Sequence, residues 1–242
     1  MDTRPRALVI IPAYNEGGNL AEIIHEVREK APWVDILVVN DGSEDNTAEI
    51  ARELGVAVVS HAFNLGIGGA VQTGFKIARM WDYDIVIQVD GDGQHDPTFI
   101  DRLVKPVVED KADISIGSRF LENKKTDGPF IRQVGIHFFS RLATLITRTR
   151  ITDCSSGFRA LNRDAIEFFS DEYPVDFPDA EALILAHRAG LRIGEAPVRF
   201  RNRKGGKSSL YFWRFLWYPI KESFSILMIL TKRSRKQGGQ RT

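Results

Sequence analysis

The sequence predicts a single α/β domain with a mainly parallel sheet flanked by helices. Short apolar runs alternate with segments of helical apolar spacing over the first half of the chain, a pattern typical of a parallel sheet covered on both faces. Clusters rich in Asn, Asp and Gly follow directly after three of these runs. The chain has 242 residues, of which 43% are hydrophobic, enough for one substantial core.

The predicted strands are apolar runs of three to five residues, short enough for buried strands. They lie at residues 7–11, 36–39, 56–59, 85–89 and 114–116. The predicted helices carry apolar residues three and four positions apart, and the fourth begins with a proline, which suits a first turn. They lie at residues 19–30, 45–54, 68–80, 97–108, 131–146 and 181–189. Residues 193–200 are expected to be extended.

Three of these helices carry more specific signals. Ser43 or Asp45 is the expected N-cap of the helix at 45–54. Gly190 suits the C-terminal cap of the helix at 181–189. In the helix at 131–146, one apolar face consists of Val134, Phe138, Leu142 and Leu145.

Polar clusters at residues 12–16, 40–46 and 90–96 each follow a predicted strand. Open α/β sheets bind ligands beyond the carboxyl ends of their strands, where the strand order reverses. The three clusters are therefore expected to converge at one edge of the sheet and to form a binding site there.

The segment Asp90-Gly91-Asp92-Gly93-Gln94 predicts a metal site. Two carboxylates separated by one residue can address one cation when the chain turns between them, and Gln94 adds a neutral oxygen. Oxygen ligands favour Mg²⁺ or Mn²⁺ over zinc, and such a cation would neutralise a diphosphate leaving group. The alternative is an acidic, glycine-rich turn without a ligand.

Residues 12–16 and Asp41 predict a nucleotide site. The ring of Tyr14 can stack on a base, and Asn15 or Glu16 can read the edge of the base or the ribose. Asp41 is placed to accept a hydrogen bond from either part of a nucleoside. The alternative is plain turn chemistry, in which Asn and Asp bond to their own backbone.

A glycine-rich segment at residues 64–70 begins the helix at 68–80, and a helix N-terminus favours an anion. A dinucleotide fingerprint would need a third glycine at position 71, which is Val71, and it would follow the first strand rather than the third. The sequence therefore argues against a dehydrogenase.

Together these motifs resemble the family-2 inverting glycosyltransferases, which have the A-type fold. Within that family the resemblance is to the dolichyl-phosphate mannose synthases and the bacterial polyprenyl-phosphate glycosyltransferases. The matching segments occur in order over roughly residues 7–208, which is more specific than any single motif. They lie at residues 11–16, 40–43, 45–47, 64–74, 90–97, 117–120, 153 and 157–159.

The resemblance implies inverting transfer of a sugar from a nucleotide diphosphate sugar to a polyprenyl phosphate, with Mg²⁺ or Mn²⁺ as cofactor. The metal is expected at Asp90, Asp92 and Gln94. The expected nucleotide-binding residues are Pro12, Ala13, Tyr14, Glu16, Asp41, Asn64, Gly69, Asp90 and Gly91. The expected catalytic residues are Asp92, Arg119, Arg132, Arg203 and Asp179.

Arginines are expected to hold the phosphates, because a guanidinium matches phosphate oxygens in a bidentate fork. Arg119 and Arg132 occupy the places where the family contacts the acceptor phosphate, and Arg203 fits the family's mobile loop. Arg201 is a further candidate. For each of these arginines the alternative is a surface ion pair.

The base is left open by the sequence. Relatives that accept on a hydroxyl place a catalytic Asp near Asp179 and Glu181, whereas a phosphate acceptor is already ionised and needs no base. Asp153 is a candidate for lining the acceptor site, and His95 is expected to support the metal site without binding the metal. The rival functions are transfer to a sugar hydroxyl of a lipid-linked glycan and a catalytically inactive nucleotide-binding scaffold.

Residues 1–209 are expected to form the catalytic domain and residues 210–242 a membrane-interface or partner-docking segment. Residues 199–242 contain 12 Lys and Arg but one acid, a net +11, whereas residues 1–198 carry 21 bases against 31 acids. Aromatic residues from 211 to 218 precede a basic stretch, which is typical of an interfacial helix. The alternative is a docking surface for a small integral membrane partner.

We therefore expect a peripheral protein at the cytoplasmic face of an anionic membrane, without a signal peptide and without a nucleic-acid partner. The single cysteine, Cys154, fits a reducing compartment.

Overall fold

A computed structural model describes residues 5–122, 130–174 and 178–202, together with residues 224, 226 and 228. For residues 130–132 only the backbone is described. The strands are β1 (Ala7–Ala13), β2 (Asp35–Asn40), β3 (Ala57–Ser60), β4 (Ile85–Gln88), β5 (Ile114–Ser118), β6 (Arg159–Asn162) and β7 (Ile193–Pro197). The helices are α1 (Gly17–Lys30), α2 (Thr47–Glu53), α3 (Gly66–Met80), α4 (Ile100–Val108, after a 3₁₀ turn at Pro97–Phe99), α5 (Phe130–Thr147), α6 (Arg163–Asp171) and α7 (Ala180–Arg188).

The seven strands form one sheet in the order β3-β2-β1-β4-β6-β5-β7. Neighbouring strands are parallel except where β6 lies between β4 and β5, antiparallel to both. The predicted class, an α/β domain with a mainly parallel sheet, is confirmed. Because β6 runs the opposite way, the loop that precedes it reaches the same edge as the loops that follow β4 and β5.

Helices cover both faces of the sheet, and the side chains of β1 show how the core divides. Leu8 and Ile10 pack in one cluster with residues of α3, α5, α6 and α7. Val9 and Ile11 pack in the other cluster, with residues of α1 and α4. This alternation follows from the two-residue period of a strand, and it explains why β1 is buried along its whole length.

The sequence missed β6 and α6. β6 is four residues long and begins with Arg159, so no apolar run marks it. α6 follows at once, and its N-cap Asn162 accepts a hydrogen bond from the amide of Ala165 at 3.0 Å. At α2 the N-cap is Asn46, not Ser43 or Asp45, although Oδ1 of Asp45 accepts from the amide of Thr47.

The predicted apolar face of α5 is wrong for three of its four residues, and only Leu142 packs, partly buried, against the core. The buried side chains of this helix include Ile136, Phe139 and Ala143, which belong to the core. Val134, Phe138 and Leu145 are exposed. Both faces carry apolar residues at helical spacing, so periodicity alone could not tell which one packs on the sheet.

The close packing of α3 on β1 predicts the effect of an added methyl group. A Cβ on Gly74 would lie 2.9 Å from Cδ1 of Ile10, whereas a Cβ on Gly135 of α5 would meet nothing within 4 Å. We expect Gly74→Ala to lower the free energy of unfolding by about 1–3 kcal/mol. Gly135→Ala, the matched helical control, should leave it unchanged or raise it by about 0.5 kcal/mol. Urea unfolding of both variants tests this, and equal stabilities would contradict the packing described.

Candidate active site

The carboxyl edge of the sheet brings the predicted polar clusters together. The amide of Asp41, after β2, donates to the carbonyl of Ala13 at 2.8 Å. A Cβ on Gly91, after β4, would lie 3.1 Å from the carbonyl oxygen of Pro12 and 3.4 Å from Cγ of Glu16. The backbone segments that follow β1, β2 and β4 are therefore in contact.

Residues 90–94, which follow β4, form the acidic loop. Polar groups of this loop and of His95 hold it in a compact turn. The amide of Asp90 donates to Nδ1 of His95 at 2.9 Å, and the amide of Gln94 donates to Oδ1 of Asp92 at 3.0 Å. Gly93 has φ +75°, in the region that favours glycine. The turn between the two carboxylates, which the metal prediction requires, is present.

His95 supports the acidic loop by accepting the hydrogen bond from the amide of Asp90. Its ring is buried, stacks on Phe158 at 4.9 Å between centroids and meets the edge of Phe200 at 4.8 Å. Burial lowers the pKa of His95, and because Nδ1 accepts the Asp90 amide, the neutral ring carries its proton on Nε2. The contacts agree with the prediction of a supporting residue.

The residues of the acidic loop fit a hard divalent cation. Their side chains offer carboxylate and amide oxygens only, the ligands that Mg²⁺ and Mn²⁺ prefer. The carboxylate of Asp90 lies against Gly157, where a Cβ would come within 2.9 Å of Oδ2. Among the described residues, no group of three or more His, Cys, Asp or Glu could hold a metal ion. The metal assignment of Asp90, Asp92 and Gln94 stays a prediction.

The predicted base-binding turn after β1 is held by polar contacts and leaves Tyr14 exposed. Asn15 has φ +55°, and it bridges to the next loop because its amide donates to Ser43 while Oδ1 accepts from the amide of Glu44. The amide of Glu16 donates to Oγ1 of Thr47. These bonds fix the turn that carries the exposed Tyr14, and stacking of its ring on a base stays a prediction.

Asp41 has a structural task that the sequence did not reveal. Its buried carboxylate accepts from the amides of Leu65 (2.8 Å) and Gly66 (2.9 Å) and lies 2.7 Å from Nδ1 of His61. The negative charge that the N-terminus of α3 favours is thus supplied by the carboxylate of Asp41. Asp41, Asn64 and Gly69 stay predicted nucleotide contacts, and Asp41 also orders the loop that contains Asn64.

Arg119 follows β5 and forms a buried ion pair with Asp153. Nε lies 2.7 Å from Oδ2 and Nη2 lies 2.7 Å from Oδ1, while Nη2 also donates to Oγ of Ser155. The guanidinium carbon lies 4.7 Å above the ring centre of Phe200. Burial opposes the charge of Arg119, but the bonds and attraction of Asp153, with attraction from Asp179, raise its pKa above the ordinary value.

Glu195 of β7 contacts this pair through the backbone of Asp153. It was not singled out from the sequence. It accepts hydrogen bonds from Thr152 and from the amide of Asp153. Burial raises the pKa of Glu195, against the lowering effect of these bonds. No sequence signal could have found it, because it is one acid in an otherwise ordinary extended segment.

The structure describes the remaining predicted catalytic residues, and the further candidate Arg201, to different extents. Arg132 lies in the first turn of α5, with its side chain not described, and Arg203 lies outside the described residues. Asp179 precedes α7, half-buried, and its carbonyl accepts from the buried guanidinium of Arg159. Arg201 ion-pairs with Glu26 and Asp96. These four residues stay predictions as phosphate contacts or as a base.

Residues 8–169 match the profile described as Glycosyl transferase family 2. The chain belongs to this family. The resemblance inferred from its motifs is thereby confirmed, and the match includes the acidic loop, Arg119 and Asp153.

Similar proteins extend this finding. A UDP-N-acetylglucosamine–dolichyl-phosphate N-acetylglucosaminyltransferase of Methanococcus voltae is 32% identical over 211 residues, covering 79% of this chain and 84% of the relative. A polyprenol monophosphomannose synthase of Mycolicibacterium smegmatis is 33% identical over 216 residues, covering 85% and 81%. The fold is shared with glucosyl-3-phosphoglycerate synthase of Mycobacterium tuberculosis in complex with Mn²⁺, UDP and glucosyl-3-phosphoglycerate (TM-score 0.71, 18% identity, 93% of this chain and 79% of that chain).

In this family-2 glycosyltransferase, Asp92→Ala tests the metal prediction. We expect transfer to fall roughly a thousandfold, since a catalytic cation supplies several kcal/mol to the transition state. Loss of the hydrogen bond from the amide of Gln94 should by itself lower the melting temperature by about 2–4 °C. The measurements are Mn²⁺ binding, turnover and thermal unfolding.

The matched control is Asp101→Ala, which also removes one acceptor, the partner of Trp33 Nε1 at 3.1 Å, on the surface. It should leave Mn²⁺ binding unchanged. Near wild-type turnover of Asp92→Ala with either cation would show that Asp92 is not a metal ligand.

Proposed function

We propose that this glycosyltransferase transfers one sugar from a nucleotide diphosphate sugar to a polyprenyl phosphate, with inversion, at the cytoplasmic face of a membrane. The observation that carries the proposal is the shared contact of two subsites. The ring of Phe200 packs on His95, which holds the acidic loop, and also under the guanidinium of Arg119. A diphosphate at the acidic loop and an acceptor phosphate at Arg119 would therefore be neighbours.

The reaction forms a bond between a phosphate oxygen of the acceptor and the anomeric carbon. The bond from that carbon to the diphosphate breaks, and its electron pair leaves with the nucleoside diphosphate. Asp90, Asp92 and Gln94 would hold a divalent cation, which would supply positive charge to this leaving group. Tyr14, Glu16 and Asp41 hold the nucleoside, and Arg203 closes over the diphosphate from the segment that follows β7.

Arg119 and Arg132 hold the acceptor phosphate. The pKa of Arg119 lies above its ordinary value, so this residue stays charged across the physiological range. Because the acceptor oxygen is already ionised, no residue has to remove a proton from it. The names of the two relatives, both of which refer to polyprenol-type acceptors, support this choice.

Membrane binding is proposed for residues 210–242 and also for the outer face of α5. This face carries four exposed residues, Val134, Phe138, Arg141 and Leu145. The last three follow Val134 by four, seven and eleven positions, which places all four on one side of the helix. Residues 128–152 contain no acid. A surface that is apolar and basic fits an anionic lipid interface. Over the described residues, no helix is long and apolar enough to cross a bilayer.

The experiment that tests the reaction is a screen of labelled nucleotide diphosphate sugars with membrane lipid extract and Mn²⁺. With one of the donors, the labelled sugar should become extractable into organic solvent, because it is then attached to the lipid. Mild acid should then release the sugar, because a sugar phosphate is acid-labile and a glycoside is not. An acid-stable product would favour transfer to a hydroxyl, and inertness with every donor would favour a scaffold.

Asp179→Asn distinguishes the two acceptor classes within the same assay. With a phosphate acceptor, we expect turnover to stay within about threefold of the wild type, since no base is needed. Loss of a catalytic base would instead lower turnover by about 10²–10⁴-fold. Glu181→Gln, in the first turn of α7, removes the other candidate base and is tested beside it. A large loss of turnover in either variant would contradict the phosphate acceptor.

Vesicle flotation tests the membrane proposal with full-length variants, because Ile226 packs in the core and truncation after residue 209 would remove it. We expect flotation with anionic but not neutral vesicles. Trp213→Glu with Trp217→Glu should weaken it, since interfacial aromatics insert at headgroup depth. Phe138→Glu should weaken it as well.

The control for flotation is Met80→Glu, an exposed apolar side chain at the far end of α3. It should float like the wild type. Unchanged flotation of the tryptophan variant would show that the C-terminal segment is not the anchor. If the wild type itself stays unbound, a separate integral partner must bring the chain to the membrane.

A further inference from the structure

Glu195 joins the loop before β6 to the sheet. Its Oε1 accepts from the amides of Thr152 (2.8 Å) and Asp153 (3.0 Å), and its Oε2 accepts from the hydroxyl of Thr152 (2.8 Å). The pairing of β6 begins only at Arg159, so residues 152 and 153 have no sheet partners of their own. One carboxylate therefore fixes two consecutive residues.

Asp153 determines which edge of Arg119 is available. The carboxylate of Asp153 accepts hydrogen bonds from Nε and Nη2 of Arg119 and from the Arg119 amide, the last at 3.2 Å. The hydroxyl of Ser155 accepts a second hydrogen bond from Nη2. Among the described residues, no hydrogen bond uses Nη1. The two Nη1 hydrogens are thus the side-chain donors of Arg119 that are left for an incoming anion.

We propose that Glu195 is a positioning residue for the acceptor: by fixing Thr152 and Asp153, it holds Arg119 in the orientation that presents Nη1 to the acceptor phosphate. The inference rests on the proposed acceptor class. Glu195 contacts Asp153 and not Arg119, so it acts one residue removed from the substrate. Its effect is geometric, because displacement of a phosphate-binding group by about 1 Å weakens an oriented contact severely.

The hydrogen bonds also predict which substitution preserves the arrangement. In Glu195→Gln, Oε1 can still accept both amides, and the new amide group can donate to Oγ1 of Thr152. The hydroxyl of Thr152 can then donate to Oγ of Ser118, which lies 2.6 Å away. Glu195→Ala removes both carboxylate oxygens, and with them all three hydrogen bonds, so the loop loses its tie to β7. The conservative variant should therefore retain the function that the alanine variant loses.

The test is ¹⁵N NMR of the arginine Nε–H groups in the full-length protein, with the Arg119 signal assigned by its loss in Arg119→Lys. In the wild type this group is bonded to Asp153 and should exchange slowly with water. Glu195→Ala should speed its exchange by about tenfold or more, and Glu195→Gln by less than about twofold. If Glu195→Ala does not fold, Glu195→Asp replaces it, because the shorter carboxylate cannot reach both residues.

Asp113→Asn is the matched control. Asp113 is a buried carboxylate beside the opposite ends of β5 and β7, and it accepts from Nε and Nη2 of Arg192. The variant should lose stability while the exchange of Arg119 stays unchanged. Unchanged exchange in Glu195→Ala, or equally fast exchange in Asp113→Asn, would overturn the proposal, since the first excludes positioning and the second indicates global loosening.

A binding measurement separates this proposal from the proposed function. Farnesyl phosphate is the probe and farnesol its uncharged control. The wild type should prefer the phosphate, Glu195→Ala should bind it about tenfold more weakly, and Glu195→Gln and Asp113→Asn should bind like the wild type. A wild type that does not distinguish the two probes would contradict the acceptor class, and the exchange measurement would still decide whether Glu195 positions Arg119. Unchanged affinity in Glu195→Ala would overturn the positioning role.

Discussion

The antiparallel pairing of β6 is the constraint on which the site depends. In a fully parallel sheet, only the loops that follow strands reach the carboxyl edge. β6 enters between β4 and β5 in the opposite direction, so the loop that precedes it arrives at that edge. This loop supplies Asp153 as the partner of Arg119 and places Gly157 against the carboxylate of Asp90. Both proposed subsites therefore depend on one four-residue strand.

The same arrangement links stability to function. The side chain of Asp153 is fully buried, and a buried ion pair stabilises little over an apolar pair of the same shape. Removal of one partner is different, since it leaves an uncompensated charge and costs about 3–5 kcal/mol. Arg119→Ala would therefore lower both stability and activity, and loss of activity alone could not assign its role. For this reason Glu195, one step behind the pair, is the more informative position.

The sequence predicted the parallel part of the fold because the signals there are local. Apolar runs marked β1, β2 and β4, and the polar residues after them lie together as expected. β6 was missed because a short strand that begins with Arg159 has no apolar run, and its place in the sheet is set by long-range pairing. The task of Glu195 was missed for the same reason, since its partners lie more than 40 residues away. The exposed face of α5 was misjudged because the helix is apolar on two sides.

Charge at the site bears on how the proposed substrates assemble. Asp90 and Asp92 lie in one turn, and a diphosphate brought to two carboxylates alone would be repelled at any effective dielectric constant. A divalent cation held there would reverse the sign of that interaction, and it would then contribute to donor binding as well as to stabilising the leaving group. Arg119, in contrast, is already paired with Asp153, and its net attraction for an acceptor is reduced accordingly. If Arg119 binds the acceptor as proposed, orientation of its Nη1 group, rather than excess positive charge at this residue, would select a phosphate.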